Sequence, residues 1–161
     1  MGSRRKAREA VLKALYLSES KNISIDEAFH EMAEIDRLIA ESQDGSDASE
    51  LYPFALGLDV QQMGFARTLA HRIMDSREQL NDTIRPVLKN WDFSRIARID
   101  RYILWIAIAE MKTMVDIPAP VSINEAIELA KKYSSAKSSS FINGVLDAVA
   151  RNMKLINSEL K

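Results

Sequence analysis

The chain contains no cysteine. That absence excludes thiol catalysis, disulfide bonds and cysteine-held metal, and it fits a reducing compartment. Glycine is scarce too. Its five positions, 2, 45, 57, 64 and 144, form neither a Walker loop nor a dinucleotide-binding loop. The two histidines, His30 and His71, lack metal-ligand spacing, and no G-x-S-x-G elbow is present. Long hydrophobic runs are missing as well. Residues 102–109 are uncharged, but they fall far short of the ~20 residues a membrane span requires. The basic N-terminus is not followed by the apolar segment of a secretory signal. These absences predict a cytoplasmic, non-enzymatic protein with no cofactor and no metal.

What is present is an ordinary globular composition. With 161 residues, 47% apolar and 28% charged, the chain can bury a core, and a single domain over residues 1–161 is expected. Net charge is only -1, but its distribution is uneven. Arg4, Arg5, Lys6 and Arg8 open the chain against Glu9 alone. Residues 22–66 hold ten acids and the single base Arg37, and residues 67–101 return to eight bases against five acids. Such a chain can present one basic and one acidic face despite its near-neutral total.

Apolar residues recur at helical spacing almost throughout, with no strand pattern and no internal repeat, so the class is all-α with about seven helices. Helices are predicted over 4–19, 24–42, 60–75 and 76–88, the last with an irregular end at Pro86. Residues 43–51 read as a polar loop, after which Tyr52, Phe54, Leu56 and Leu58 fold back on the core. A fifth helix, with Ser94 as its N-cap, is apolar nearly all round from Ile96 to Met114 and therefore central, meeting water at Asp100 and Arg101. The segment Asp116-Ile117-Pro118-Ala119-Pro120 ends it. Ser24 with Glu27, and Ser122 with Glu125, have the spacing of capping boxes. Residues 134–140 carry five serines in seven, which reads as a turn leading into a last helix from Phe141. Gly64 and Gly144, inside predicted helices, suggest close helix contact as compensation for their cost.

The basic first turn is locally disfavoured, because a helix N-terminus carries partial positive charge and prefers acids. Cations there suggest an anionic partner outside the chain. Lysine and arginine supply phosphate contacts, and an aromatic beside them, Phe141 near Lys137, can stack an unpaired base. Duplex DNA is less favoured, since the serine turn reads as too long for a helix–turn–helix and the helix after it is mostly apolar.

Three motifs carry a family resemblance. These are R-R-K-A-R-E-A-V-L-K-A-L-Y from Arg4, W-x-x-x-R-I-A-R-I-D-R-x-I-L from Trp91, and S-I-N-E-A-I-E-L-A-K-K-Y followed by F-I-N-G-V-L-D, ending at Asp147. Together they resemble the NusB family of bacterial transcription antitermination factors over nearly the whole chain except 43–60, where the loop is longer than the family pattern. The resemblance implies two packed helical bundles and binding of the boxA element of nascent ribosomal RNA together with the ribosomal protein NusE, within the RNA polymerase antitermination complex. It implies RNA contacts at Arg4, Arg5, Lys6, Arg8 and Phe141, with Lys137 in the same turn at a position where family members bear an acid. Tyr16 and Asp100 match the ribosomal-protein face. Trp105 departs from a usual arginine, and His71 falls near a usual glycine. The resemblance leaves a homodimer open. The same fold also occurs as the N-terminal domain of ribosomal-RNA cytosine methyltransferases, and a NusB-like protein-interaction module is a further alternative.

Overall fold

The structure, a computed structural model, describes residues 2–42, 53–89 and 92–156. Among them are seven α-helices, two short 3-10 turns and no strand. We number the helices α1 (Gly2–Lys21), α2 (Ile25–Ser42), α3 (Val60–Asp75), α4 (Arg77–Ile84), α5 (Arg98–Thr113), α6 (Ala119–Tyr133) and α7 (Ala136–Asn152). The chain divides into two compact units, Met1–His71 and Arg72–Lys161.

In the first unit, α1 packs on α2. The predicted stripe on α1 is buried at Ala7, Ala10, Val11, Ala14 and Leu15, and Leu12 joins it. The helix stops where Asn22 takes a positive φ of 54°, and the Ser18 hydroxyl donates to the Ile23 carbonyl at 2.6 Å across the turn. Ser24 then caps α2, its Oγ accepting the Glu27 N–H at 3.0 Å. Ile25, Ala28, Phe29 and Met32 are buried, but Leu38 is 57% exposed, so the apolar stripe of α2 outruns the core it serves. Past residue 52 the chain does return to the core. Asp36 accepts the Leu56 N–H at 2.8 Å and the Gly57 N–H at 3.1 Å, one on each carboxylate oxygen. Gly57 sits at φ 58°, a left-handed conformation in which a Cβ is strained. Leu56 is buried and Phe54 stacks on Tyr16, ring centroids 6.3 Å apart. A capping box that the sequence pattern had not singled out opens α3. The Asp59 N–H donates to Gln62 Oε1 at 2.9 Å and the Gln62 N–H donates back to Asp59 Oδ1 at 2.8 Å. The polar loop at 43–51, Tyr52, and with them most of the 43–60 segment, lie outside the described residues.

The second unit is built around α5. Every residue from 102 to 111 is buried, as expected for a helix apolar on all sides. Its neighbours are α4, α6 and α7. Ser94 is not its N-cap. Asp92 instead caps a short 3-10 turn, Phe93–Arg95, by accepting the Ser94 N–H at 3.1 Å, and that hydrogen bond holds the Asp92 carboxyl below its ordinary range. The chain is extended at Ile96 before α5 begins at Arg98.

Three further expectations are corrected here. The Ser122–Glu125 capping box does not form. Helix α6 starts earlier, at Ala119, because Pro120 fits the first turn, where a missing N–H costs nothing. Ser122 is thus already inside the helix and 1% exposed, and its hydroxyl donates to Oε1 of the buried Glu110 at 3.1 Å. The serine turn is also shorter than it reads. Helix α6 ends at Tyr133, Ser135 caps α7 by accepting the Ser138 N–H at 3.1 Å, and α7 begins at Ala136, five residues before Phe141. Its predicted length therefore does not argue against a helix–turn–helix. Last, neither Gly64 nor Gly144 supports close packing: an added Cβ would meet nothing within 4 Å at either. Alanine at Gly144 is therefore expected to stabilise the protein by about 0.5–1 kcal/mol, seen as a thermal midpoint about 1–4 °C higher.

Candidate nucleic-acid interface

The cationic start of the chain is helical, and the helix sorts its four charges. Arg4 and Arg8 stand one turn apart on a common face. Arg4, Arg5 and Lys6 are exposed, while Arg8 is 3% exposed. Both face-sharing guanidinium groups lie over one ring, that of Phe65 on α3, with Cζ to centroid distances of 5.1 Å for Arg4 and 5.7 Å for Arg8. Contacts of this kind are worth ~0.5–1 kcal/mol when exposed and about 2 kcal/mol when desolvated. Arg8 is therefore built into the unit's packing, and the surface charge is carried by Arg4, Arg5 and Lys6. The first turn of α1 contains no acid. The positive dipole end of the helix thus adds to the arginines, a combination that attracts anions. Farther along the same helix, Tyr16 is 39% exposed and its ring stacks on Phe54.

The second unit repeats the arrangement on a smaller scale. Lys137 is exposed in the first turn of α7, which again has no acid. Phe141, one turn on, is half-buried. What holds this turn is Asp100. It is 6% exposed, not at the wet end of α5, and both of its oxygens are occupied: Ser134 Oγ donates to Oδ1 and Ser138 Oγ to Oδ2, each at 2.8 Å. The two hydroxyls are also 2.9 Å from each other. The polar richness of the turn is thus a clasp that ties the start of α7 to α5. Asp100 offers a partner little surface. Among the described residues no group of three or more His, Asp and Glu side chains could hold a metal ion. His71 and Asp26 do meet, at 2.8 Å, but as a surface pair with Arg67 alongside at 3.7 Å.

Phe65, Ser134 and Ser138 are the residues of these sites that the sequence reading passed over as functional positions. Ser138 had a signal, standing in a turn beside Lys137. Phe65 had none, being 61 residues from Arg4 and otherwise one apolar residue of a stripe.

The NusB family model matches residues 5–151. The chain belongs to the NusB family. The transcription antitermination protein NusB of Geotalea daltonii is 35% identical over 153 residues, covering 95% of this chain and 97% of its own. Among solved structures, T. maritima NusB superposes with a TM-score of 0.72 at 30% identity, covering 92% of this chain and 90% of that one. A structure of antitermination factors NusB and NusE in complex with double-stranded RNA shares the fold, with a TM-score of 0.69 at 22% identity over 94% of this chain and 98% of that one. As a NusB-family member the protein is a transcription antitermination factor. No described helix is long and apolar enough to cross a membrane.

Trp105, where the resemblance leads one to expect an arginine, is 6% exposed, and its Nε1 donates to Asn81 Oδ1 at 2.8 Å. A buried indole N–H needs such a partner. The nearby cation is Arg101, whose guanidinium lies 5.2 Å from the Trp105 ring and 5.5 Å from that of Tyr102. This face of α5 is therefore aromatic and turned inward.

Proposed function

We propose that this NusB-family protein binds the boxA element of nascent ribosomal RNA as a single strand, together with the ribosomal protein NusE, within the RNA polymerase antitermination complex. It does so without catalysis, in the cytoplasm, and with its two units working as one functional domain. The observation that carries this reading is the exposure of Arg4, Arg5 and Lys6 on a helix start with no acid in its first turn. Arg4, Arg5 and Lys6 neutralise phosphates, while Arg8 holds the arm from below. Lys137 adds a phosphate contact from the start of α7, and Phe141 packs on base or sugar. Tyr16 contributes to the ribosomal-protein contact, and Asp100 acts by fixing its turn. The structurally similar NusB in complex with NusE and double-stranded RNA is in keeping with RNA and NusE as partners.

Fluorescence anisotropy with a boxA-like single strand tests it. Binding is expected to tighten when NusE is added and to exceed that of a scrambled strand by at least about tenfold. Equal affinity for the two strands in the presence of NusE would remove the antitermination RNA as the ligand.

A further inference from the structure

Two cations of the basic arm converge on the Phe65 ring: Arg4 Cζ lies 5.1 Å and Arg8 Cζ 5.7 Å from its centroid. The ring arrives from α3, a different helix, and is itself half-buried. The two arginines differ in what they can then do. Arg8 is 3% exposed and fixed in the packing, whereas Arg4 is exposed at the surface. An arginine side chain has many rotamers to lose when it grips a phosphate, and holding it in advance reduces that loss. A cation–π contact does so without consuming any of the guanidinium's N–H donors, because it uses the ring face.

We propose that Phe65 is a positioning residue for RNA binding: its ring pre-organises Arg4 for phosphate, with Arg8 held against the same ring from the buried side. The inference rests on the RNA-binding reading above and assigns a role to a residue that touches no RNA in it. It also explains why one of four adjacent cations is buried. Arg8 anchors the ring, and the ring orders Arg4.

A double-mutant cycle in the full-length protein separates this role from mere packing. The variants are Phe65→Leu, Phe65→Trp, Arg4→Ala and Arg4→Ala with Phe65→Leu, each titrated with a boxA-like single strand and checked by thermal melting. Phe65→Leu, which keeps an apolar side chain but removes the π face, is expected to weaken binding about 3- to 5-fold, the factor equivalent to one exposed cation–π contact. In the Arg4→Ala background the same change is expected to cost less than about 1.5-fold, because the group it positions is gone. Phe65→Trp, which restores a π face, is expected to bind within about 2-fold of the parent. A Phe65→Leu effect of equal size in both backgrounds, or none in the parent, or a failure of tryptophan to restore binding, overturns the proposal while leaving the RNA face intact. Unchanged binding by Arg4→Ala overturns both the proposal and Arg4's place in that face.

Discussion

Alanine at both Arg4 and Arg5 is expected to weaken single-stranded RNA binding about 25-fold at 0.1 M salt. The size follows from counterion release. Each phosphate neutralised on a single strand contributes about 0.7 to the slope of log affinity against log salt. Two contacts make about 1.4, which at 0.1 M is about 1.4 decades relative to 1 M. The same variant should therefore lose about 1.4 from its salt slope and converge on the parent as salt rises. Both side chains are exposed, so the thermal midpoint should move by no more than about 2 °C, as for surface substitutions generally. Arg8→Ala is the contrast. Its side chain is buried over the Phe65 ring, so its loss should lower the midpoint and weaken RNA binding only through the arm it supports. A salt slope unchanged in the Arg4/Arg5 variant would show that these residues meet no phosphate.

The helices were legible because burial imposes a period that short stretches of sequence carry on their own. The stripe from Ala7 to Leu15 and the all-round apolarity of α5 each follow from residues within one element. The basic arm was legible for a related reason: cations crowd a helix start where the macrodipole disfavours them. What stayed hidden depends on a partner far along the chain. Ser122 and Glu125 have capping-box spacing, and so do Ser24 and Glu27. Only Ser24 caps, because α6 already starts at Ala119, which puts Ser122 inside the helix, where its hydroxyl donates to Glu110 of another helix. Arg8 and Arg4 look equivalent in sequence, and it is Phe65 and the packing around it that bury one of them. Polar side chains near helix ends are ambiguous in this way, since each can serve its own backbone or a neighbouring element. Glycine was misread for the opposite reason. Its cost in a helix invites a packing explanation, yet the surroundings of Gly144 are open.

Asp100 shows how far such a hidden partner can decide energetics. Its two oxygens accept from Ser134 and Ser138, so the clasp can be broken from either side, and the two breaks should not cost the same. Asp100→Ala removes the charge and leaves two hydroxyls, on the exposed Ser134 and the half-buried Ser138, which water can reach. A cost of about 1–2 kcal/mol is expected, the net value of charge-assisted hydrogen bonds partly replaced by water. Ser134→Ala with Ser138→Ala strands the carboxylate, 6% exposed, without either donor. An uncompensated buried charge costs more than the interaction that was removed, so about 3 kcal/mol is expected, or a midpoint about 6–12 °C lower. The double serine variant should therefore melt below the aspartate variant, although it removes fewer atoms and no charge. Adding Asp100→Ala to the double serine variant should then raise the midpoint, because it relieves the stranded charge. The reverse order of melting, with no recovery in the triple variant, would mean that the carboxylate is compensated by something other than the two serines. Because the clasp also fixes the turn carrying Lys137, every variant that opens it should loosen RNA binding without altering the contribution of Arg4 and Arg5 to the salt slope. That signature separates a positioning effect at the start of α7 from a lost phosphate contact.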